Sequence, residues 1–372
     1  MKIGVPREIK NREYRVGMTP AAVHELCSHG HQVFVETNAG SAIGFSDNDY
    51  SQAGAQILES PRAVFGAAEM IVKVKEPQPA ERAMLTPDHT LFTYLHLAPD
   101  KVQTDDLVTS GATCIAYETV TDRRGHLPLL APMSEVAGRM SIQAGAHCLE
   151  KSAGGRGVLL GGVPGVSPAR VTVVGGGVVG QNAVAMAIGM GAQVTVLDRD
   201  MEVLRNLDHL YGNRISTLFS TVRTLEEAII ESDLVIGSVL IPGASAPKLI
   251  TRNMIRRMPE GSVIVDVAID QGGCTETSKP TTHDDPTYIV DGVVHYCVAN
   301  MPGAVARTST LALNNVTLPF VAALANKGPV QAMREDPHLM AGLNVFGGKV
   351  TYKEVAEATG HPYTDPESLL GL

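Results

Sequence analysis

The chain has 372 residues, a formal net charge of −9, 44% apolar residues and no tryptophan. That length holds two domains with substantial cores; acids and bases are interspersed, and no basic run exceeds the pairs Arg123-Arg124 and Arg256-Arg257, so nucleic acid is not an expected partner. Aromatic residues are only 4%, so the interior must be packed from Val, Ile, Leu, Ala and Met, as in parallel α/β sheets.

Lys2 to Val5 reads as a first strand, with no apolar region before it to act as a secretory signal. A polar stretch and a helix from about Pro20 to His29 follow, then a strand from Gln32 to Glu36 and a helical segment after Asp47. Strand-like runs continue at Met70 to Val74, which ends on Lys75, at Thr90 to Leu95, which ends on His96, and, after a helix from about Asp100, at Thr113 to Tyr117, which ends on Glu118. This alternation predicts a parallel sheet with right-handed crossovers. Pro128 to Pro132 leads into a long helix of about Ser134 to Lys151, and the glycine-rich Ala153 to Pro168 reads as a structural loop, because it lacks a G-K-[ST] ending.

From Val171 to Asp198 the chain reads VTVVGGGVVGQNAVAMAIGMGAQVTVLD. A β-branched run meets Gly175, Gly177 and Gly180 in G-x-G-x-x-G spacing, a small-residue helix follows, and a second run ends on Asp198, 18 residues past Gly180. This is the dinucleotide fingerprint in its strand–turn–helix setting: the glycines allow the tight turn, the approach of backbone to pyrophosphate and the packing of helix on strand. Asp198 can accept hydrogen bonds from ribose hydroxyls and repels a 2′-phosphate, so NAD is expected over NADP although Arg199 is adjacent. Further strands are expected at Arg214 to Phe219, Asp233 to Leu240, Ser262 to Ile269 ending at Asp270, and His295 to Ala299 reaching Asn300, before a last long helix from Ala306 to Lys327.

The expected architecture is therefore α/β, with two Rossmann-like, doubly wound parallel-sheet domains and an interdomain cleft. Residues 1–130 and 306–372 form the substrate domain and 131–305 the NAD domain. Apolar segments are strand-sized or interrupted, so no membrane span is expected. Cys27, Cys114, Cys148, Cys274 and Cys297 stand singly, as buried thiols of a reducing, cytoplasmic setting, and no metal-binding pattern is present.

In open parallel sheets ligands bind beyond the carboxyl ends of strands. That rule selects the loop after the first strand (Arg7, Glu8, Lys10, Glu13, Arg15), then Lys75, His96 and Glu118, and in the second half Asp198, Asp270 and Asn300. A nicotinamide enzyme acting on a small acid needs cations for the carboxylate, which Arg15 and Lys75 can supply, and a group that ordinarily titrates near neutrality, such as His96. Asp270 is preferred to Asp266, which lies within the strand.

KIGVPREIKNREYRVGMTP, MSEVAGRMS, GGRGVLLGGVPGV, the fingerprint stretch and HYCVANMPGAVARTST together resemble the L-alanine dehydrogenase family over nearly the whole length. The resemblance implies reversible NAD-dependent oxidative deamination of L-alanine to pyruvate and ammonia by a homohexamer. It implies that Arg15 and Lys75 hold substrate, that His96 is the acid–base and that Asp270 assists. It also implies nucleotide contacts at Ser134, Gly175, Gly177, Val178, Val179, Gly180, Asp198, Ser220, Val239, Leu240 and Asn300. Gly17-Met18 departs from the commoner Ala-Leu, beside Arg15, where it is expected to alter the flexibility of the clamp. Alternatives are a related amino-acid dehydrogenase, the nucleotide-binding component of a proton-translocating transhydrogenase, which would not need Lys75 and His96, and a non-catalytic NAD sensor.

Overall fold

The structure, a computed structural model, describes residues 1–239 and 246–372. Contacts group the chain into two units, Met1–Met133 with Val305–Leu372, and Ser134–Ala304. The first unit contains β1 (Lys2–Val5), β2 (Gln32–Glu36), β3 (Gln56–Leu58), β4 (Met70–Val72), β5 (Thr90–Thr93) and β6 (Thr113–Ala116). The second contains β7 (Arg170–Val174), β8 (Gln193–Asp198), β9 (Ile215–Phe219), β10 (Leu234–Gly237), β11 (Val263–Asp266), β12 (Thr287–Val290) and β13 (Val293–Tyr296). The chain then returns to the first unit with β14 (Leu343–Phe346) and β15 (Lys349–Val350).

Among the described residues the first sheet runs β3-β2-β1-β4-β5-β6-β14-β15 and the second β9-β8-β7-β10-β11-β13-β12. Both are Rossmann-like, with strand order reversing between β1 and β4 and again between β7 and β10. The central strands β4, β5, β6, β10 and β11 are buried on both faces. In the second sheet Leu234 and Ile236 of β10 enter one core while Val235 enters the other, so alternate side chains serve helices on opposite sides.

Neither sheet is wholly parallel. β14 pairs antiparallel with β6 and β15, and β12 with β13. Each short hairpin closes on two residues of positive φ, Gly347 (54°) with Gly348 (79°), and Asp291 (49°) with Gly292 (81°), the backbone of a type I′ turn. The sequence reading found neither hairpin, although G-G and D-G are signals for them. Several strands also stop earlier than expected: β4 ends at Val72, β5 at Thr93, β10 at Gly237 and β11 at Asp266. Where β11 was expected to continue, residues Val267–Gln271 form a 3₁₀ turn, because the Asp266 carboxylate accepts the Ala268 amide at 3.1 Å and the Cys274 amide at 2.8 Å.

The helix Ala306–Lys327 belongs to the first unit. With the turn before it, Met301–Lys327 is long and apolar enough, by length and composition only, to cross a membrane, where the sequence predicts no segment of that kind. Its inward stripe is nevertheless partly polar, with Ser309, Thr310, Asn314 and Thr317 buried. Asn314 Oδ1 accepts the Thr19 amide at 2.9 Å and the Thr19 hydroxyl at 2.7 Å, and its Nδ2 donates to Gly17 O at 3.3 Å. Thr19 in turn caps the helix Pro20–Ser28 by accepting the Ala22 amide. This is the packing of a core helix that fixes the segment following Arg15.

Replacing Asn314 by Ala strands the Thr19 amide and the Gly17 carbonyl in the interior. It is expected to cost on the order of 2–3 kcal/mol, read as a lower urea midpoint; an unchanged midpoint would show that these bonds do not hold the segment.

Candidate active site

In the first unit the chemistry gathers beyond the carboxyl ends of β1, β4, β5 and β6, which are neighbours in the sheet. Arg15 is 2% exposed, and its guanidinium forks onto Glu13, Nε to Oε1 at 2.7 Å and Nη2 to Oε2 at 2.6 Å, while Nη1 faces Met133 Sδ at 3.1 Å. The fork sets the plane of the guanidinium. Gly17 stands so close to β4 that a β-carbon there would lie 2.4 Å from Val72 O, so the departure from Ala serves close packing of the main chain against the strand end.

Lys73 is fully buried between Glu81 (2.6 Å) and Glu8 (3.1 Å). Glu8 also accepts the Val74 amide at 2.7 Å and the Lys75 amide at 3.3 Å, fixing the main chain at Lys75. Burial pushes the Glu8 carboxyl above the ordinary carboxylate range, against the pull of the Lys73 ammonium. Lys75 itself is half-buried, and its carbonyl accepts the Thr93 hydroxyl at 3.0 Å. Burial disfavours the Glu76 carboxylate next to it, but the Lys75 and Lys10 ammoniums outweigh that and hold the carboxyl below its usual range.

His96 is one of five described non-glycine residues with positive φ (49°); Asn300 (60°) is another. Its ring is 45% exposed and lies parallel to Tyr94, centroids 5.8 Å apart at 7°. Tyr94 is buried and donates to Leu129 O at 2.6 Å. The Glu118 carboxylate accepts the amides of Leu95 (3.2 Å) and His96 (2.6 Å).

In the second unit Gly175 has φ 100°, and a β-carbon on Gly180 would fall 1.8 Å from Gly175 O, so the turn and the helix Val178–Gly189 close only around glycine. Gly177 caps that helix without a side chain, and Val178 and Val179 open its first turn, where amides point outward as they do toward anions. Asp198 ends β8; its Oδ2 accepts the Gly176 amide at 2.6 Å and its Oδ1 the Asp200 amide at 2.8 Å, tying the glycine turn to the second strand. Each oxygen has a further lone pair for a ribose hydroxyl. The Ser220 amide donates to Asp198 O at 2.9 Å. Ser238, which the sequence reading passed over, donates its hydroxyl to Val174 O and Gly175 O (2.9 and 2.8 Å), and Val239 Cγ2 stands 3.2 Å from the β-carbon position of Gly175.

Ser134 is half-buried in the first turns of the helix Ala131–Cys148. Asp270 is exposed on the 3₁₀ turn after β11, while Asp266 is fully buried and bonded into that turn, so the two acids divide into an outward and a structural group. Leu240 lies outside the described residues. The glycine cradle, the open helix end and the acid at the second strand fit a dinucleotide.

The residues singled out from sequence therefore fall into two sets. Arg15, Lys75 and His96 share one edge of the first sheet. Gly175 to Gly180, Asp198, Ser220, Val239 and Asp270 share the corresponding edge of the second, with Asn300 just past β13. The strand-end rule selects Glu8 and Glu13 only by position and passes over Glu81 and Ser238, because an acid or serine by itself gives no sign of which amide or cation it will meet.

Family models described as the alanine dehydrogenase/PNT N-terminal and C-terminal domains match residues 4–137 and 141–353. The chain is 63% identical over 371 residues to an alanine dehydrogenase of Halomonas elongata and 54% identical to one of Bacillus subtilis, covering 100% of itself in both and 100% and 98% of those proteins. Among solved structures, an L-alanine dehydrogenase superposes with a TM-score of 0.94 at 53% identity, over 97% of this chain and 99% of that one. A transhydrogenase from Sinorhizobium meliloti, at a TM-score of 0.81 and 24% identity over 95% of this chain and 99% of that one, shares the fold.

Gly180→Ala is expected to force the turn open and weaken dinucleotide binding more than about tenfold, since a methyl group cannot share space with Gly175 O. Titration of the purified variant measures this, and wild-type affinity would mean that the turn is not the pyrophosphate site.

Proposed function

The chain belongs to the alanine dehydrogenase/PNT family and is an oxidoreductase, and we propose that it interconverts L-alanine and pyruvate with NAD. The observation that carries this reading is the presence in one chain of the Asp198-bearing glycine turn and of a strand-end set, Arg15, Lys75 and His96, suited to a small amino acid. In the forward direction alanine, NAD⁺ and water give pyruvate, ammonium, NADH and a proton.

Gly177, Val178, Val179, Gly180 and Asp198 would hold the dinucleotide, with Gly175, Ser134, Ser220, Val239, Leu240 and Asn300 contributing to its site. When bound, the nicotinamide supplies the acceptor for the hydride of the alanine Cα. The chain's own residues provide the rest. Arg15, its plane set by Glu13, and Lys75, its main chain set by Glu8, bind the substrate carboxylate and orient the reacting carbon. His96 takes a proton from the water that adds to the iminium carbon and returns one to the departing amine, so the same ring serves both directions. Asp270, exposed on its turn, assists that proton transfer. We further read the protein as a closed homohexamer working in a reducing, cytoplasmic setting, which suits its free cysteines.

Alanine-dependent NADH formation by the purified protein tests the reading directly; binding of NAD without turnover would favour a sensor. Lys75→Ala should raise KM as well as lower kcat, because the clamp both binds and positions. His96→Ala should chiefly lower kcat, by roughly two to four orders of magnitude, and abolish the limb of the oxidation pH profile that requires a deprotonated group. Persistence of that limb with near-normal turnover would make His96 structural. Asp198→Ala should weaken NAD by about tenfold or more and narrow its advantage over NADP; an unaltered preference in paired titrations would remove Asp198 from the ribose.

A further inference from the structure

We propose that Glu118 is the positioning residue for His96, acting through the main chain. The proposal rests on the acid–base role given to His96 above. β5 and β6 pair in parallel as far as Thr93 and Ala116. Beyond that point β6 turns into the 3₁₀ segment Tyr117–Thr119, and the ladder that would have received the next amides of the β5 side ends. The Glu118 side chain takes its place. Both of its oxygens lie 3.2 Å from the Leu95 nitrogen, and Oε1 lies 2.6 Å from that of His96.

These bonds hold a conformation that His96 would not otherwise keep, since φ of 49° lies in the left-handed region that side-chain-bearing residues seldom adopt. The left-handed corner sends the imidazole onto the flat of Tyr94, itself anchored by its hydroxyl to Leu129 O. From Glu118 Oε1 to His96 Nδ1 is 3.9 Å, beyond hydrogen-bond reach. The carboxylate therefore grips the two amides and leaves the ring nitrogens to proton traffic. An acid that bonded the ring would occupy one of its two nitrogens and fix its tautomer; an acid that bonds the backbone places the ring and leaves both nitrogens open.

Steady-state kinetics and amide hydrogen exchange on the full chain test this with Glu118→Ala, Glu118→Gln and His96→Ala. Glu118→Ala is expected to lower kcat about ten- to a hundredfold with KM for alanine and pyruvate within about twofold, because Arg15 and Lys75 still bind substrate. Glu118→Gln keeps one acceptor oxygen and should recover part of the loss. The Leu95 and His96 amides should exchange faster in Glu118→Ala while that of Ile71 in β4 does not. Wild-type kcat in Glu118→Ala, beside an inactive His96→Ala, overturns the role of Glu118 and spares that of His96. A rise in KM at unchanged kcat also overturns it, by making Glu118 a binding group. Near-normal turnover in His96→Ala defeats the acid–base reading, and the positioning proposal falls with it. If Glu118→Ala does not fold, Glu118→Gln decides: reduced kcat with faster exchange at Leu95 and His96 supports the proposal, and wild-type kcat sinks it.

Discussion

A parallel strand that stops leaves main-chain amides with no ladder to join, and an amide buried without a partner is costly. In both units carboxylates meet that demand. Glu36 accepts the Arg7 amide beyond β1, Glu8 the Val74 and Lys75 amides beyond β4, and Glu118 those of Leu95 and His96 beyond β5. In the second unit Asp198 takes the Gly176 amide beyond β7, and Asp266 those of Ala268 and Cys274 beyond β11. The same sheet edge thus carries the ligand-facing groups and the acids that shape the loops bearing them. Without these acids the strand ends would have to be satisfied by longer ladders or by water, and Lys75, His96 and the glycine turn would lose their fixed positions.

The arrangement concentrates negative charge, and the first unit balances it with buried cations. Arg15 is matched by Glu13, and Lys73 by Glu8 and Glu81. Such pairs add little net stability over a well-packed apolar core, since desolvating two ions offsets most of their attraction. Their use here lies in direction: a fork of two bonds sets a guanidinium plane, and a carboxylate pinned by an ammonium presents its other oxygen to chosen amides.

Much of this fold is readable in sequence where one short-range rule decides the outcome. Lys2–Val5, Gln32–Glu36 and Ala306–Lys327 begin and end where apolar period, Gly and Pro say they should. The glycine fingerprint and the strand-end positions of Arg15, Lys75 and His96 follow from the same rules. The strand ends at Val72, Thr93 and Asp266 do not, because an apolar run continues while a distant or local acid captures the next amides. The hairpins at Asp291-Gly292 and Gly347-Gly348 escaped because their strands are two to four residues long, too short to show a period. Glu8 and Glu118 gave no sign of their partners, since chain distance, up to 67 residues for Glu8 and Lys75, hides them, whereas Glu13 lies two residues from Arg15 and only the fold of the loop turns the pair into a fork.

The return of the helix Ala306–Lys327 to the first unit has a consequence for biosynthesis. Residues 134–304 form a continuous unit, whereas the segment after Arg15 waits for Asn314, and β6 waits for β14 to cover its open edge. A ribosome delivering the chain from its amino terminus therefore releases everything the nucleotide-binding half needs before it releases what completes the other half. Domains ordinarily mature in the order in which they emerge. Here the order is inverted, and the half begun first is the last that can finish. Until then the exposed rim of its sheet is the part of the nascent protein most in need of a chaperone.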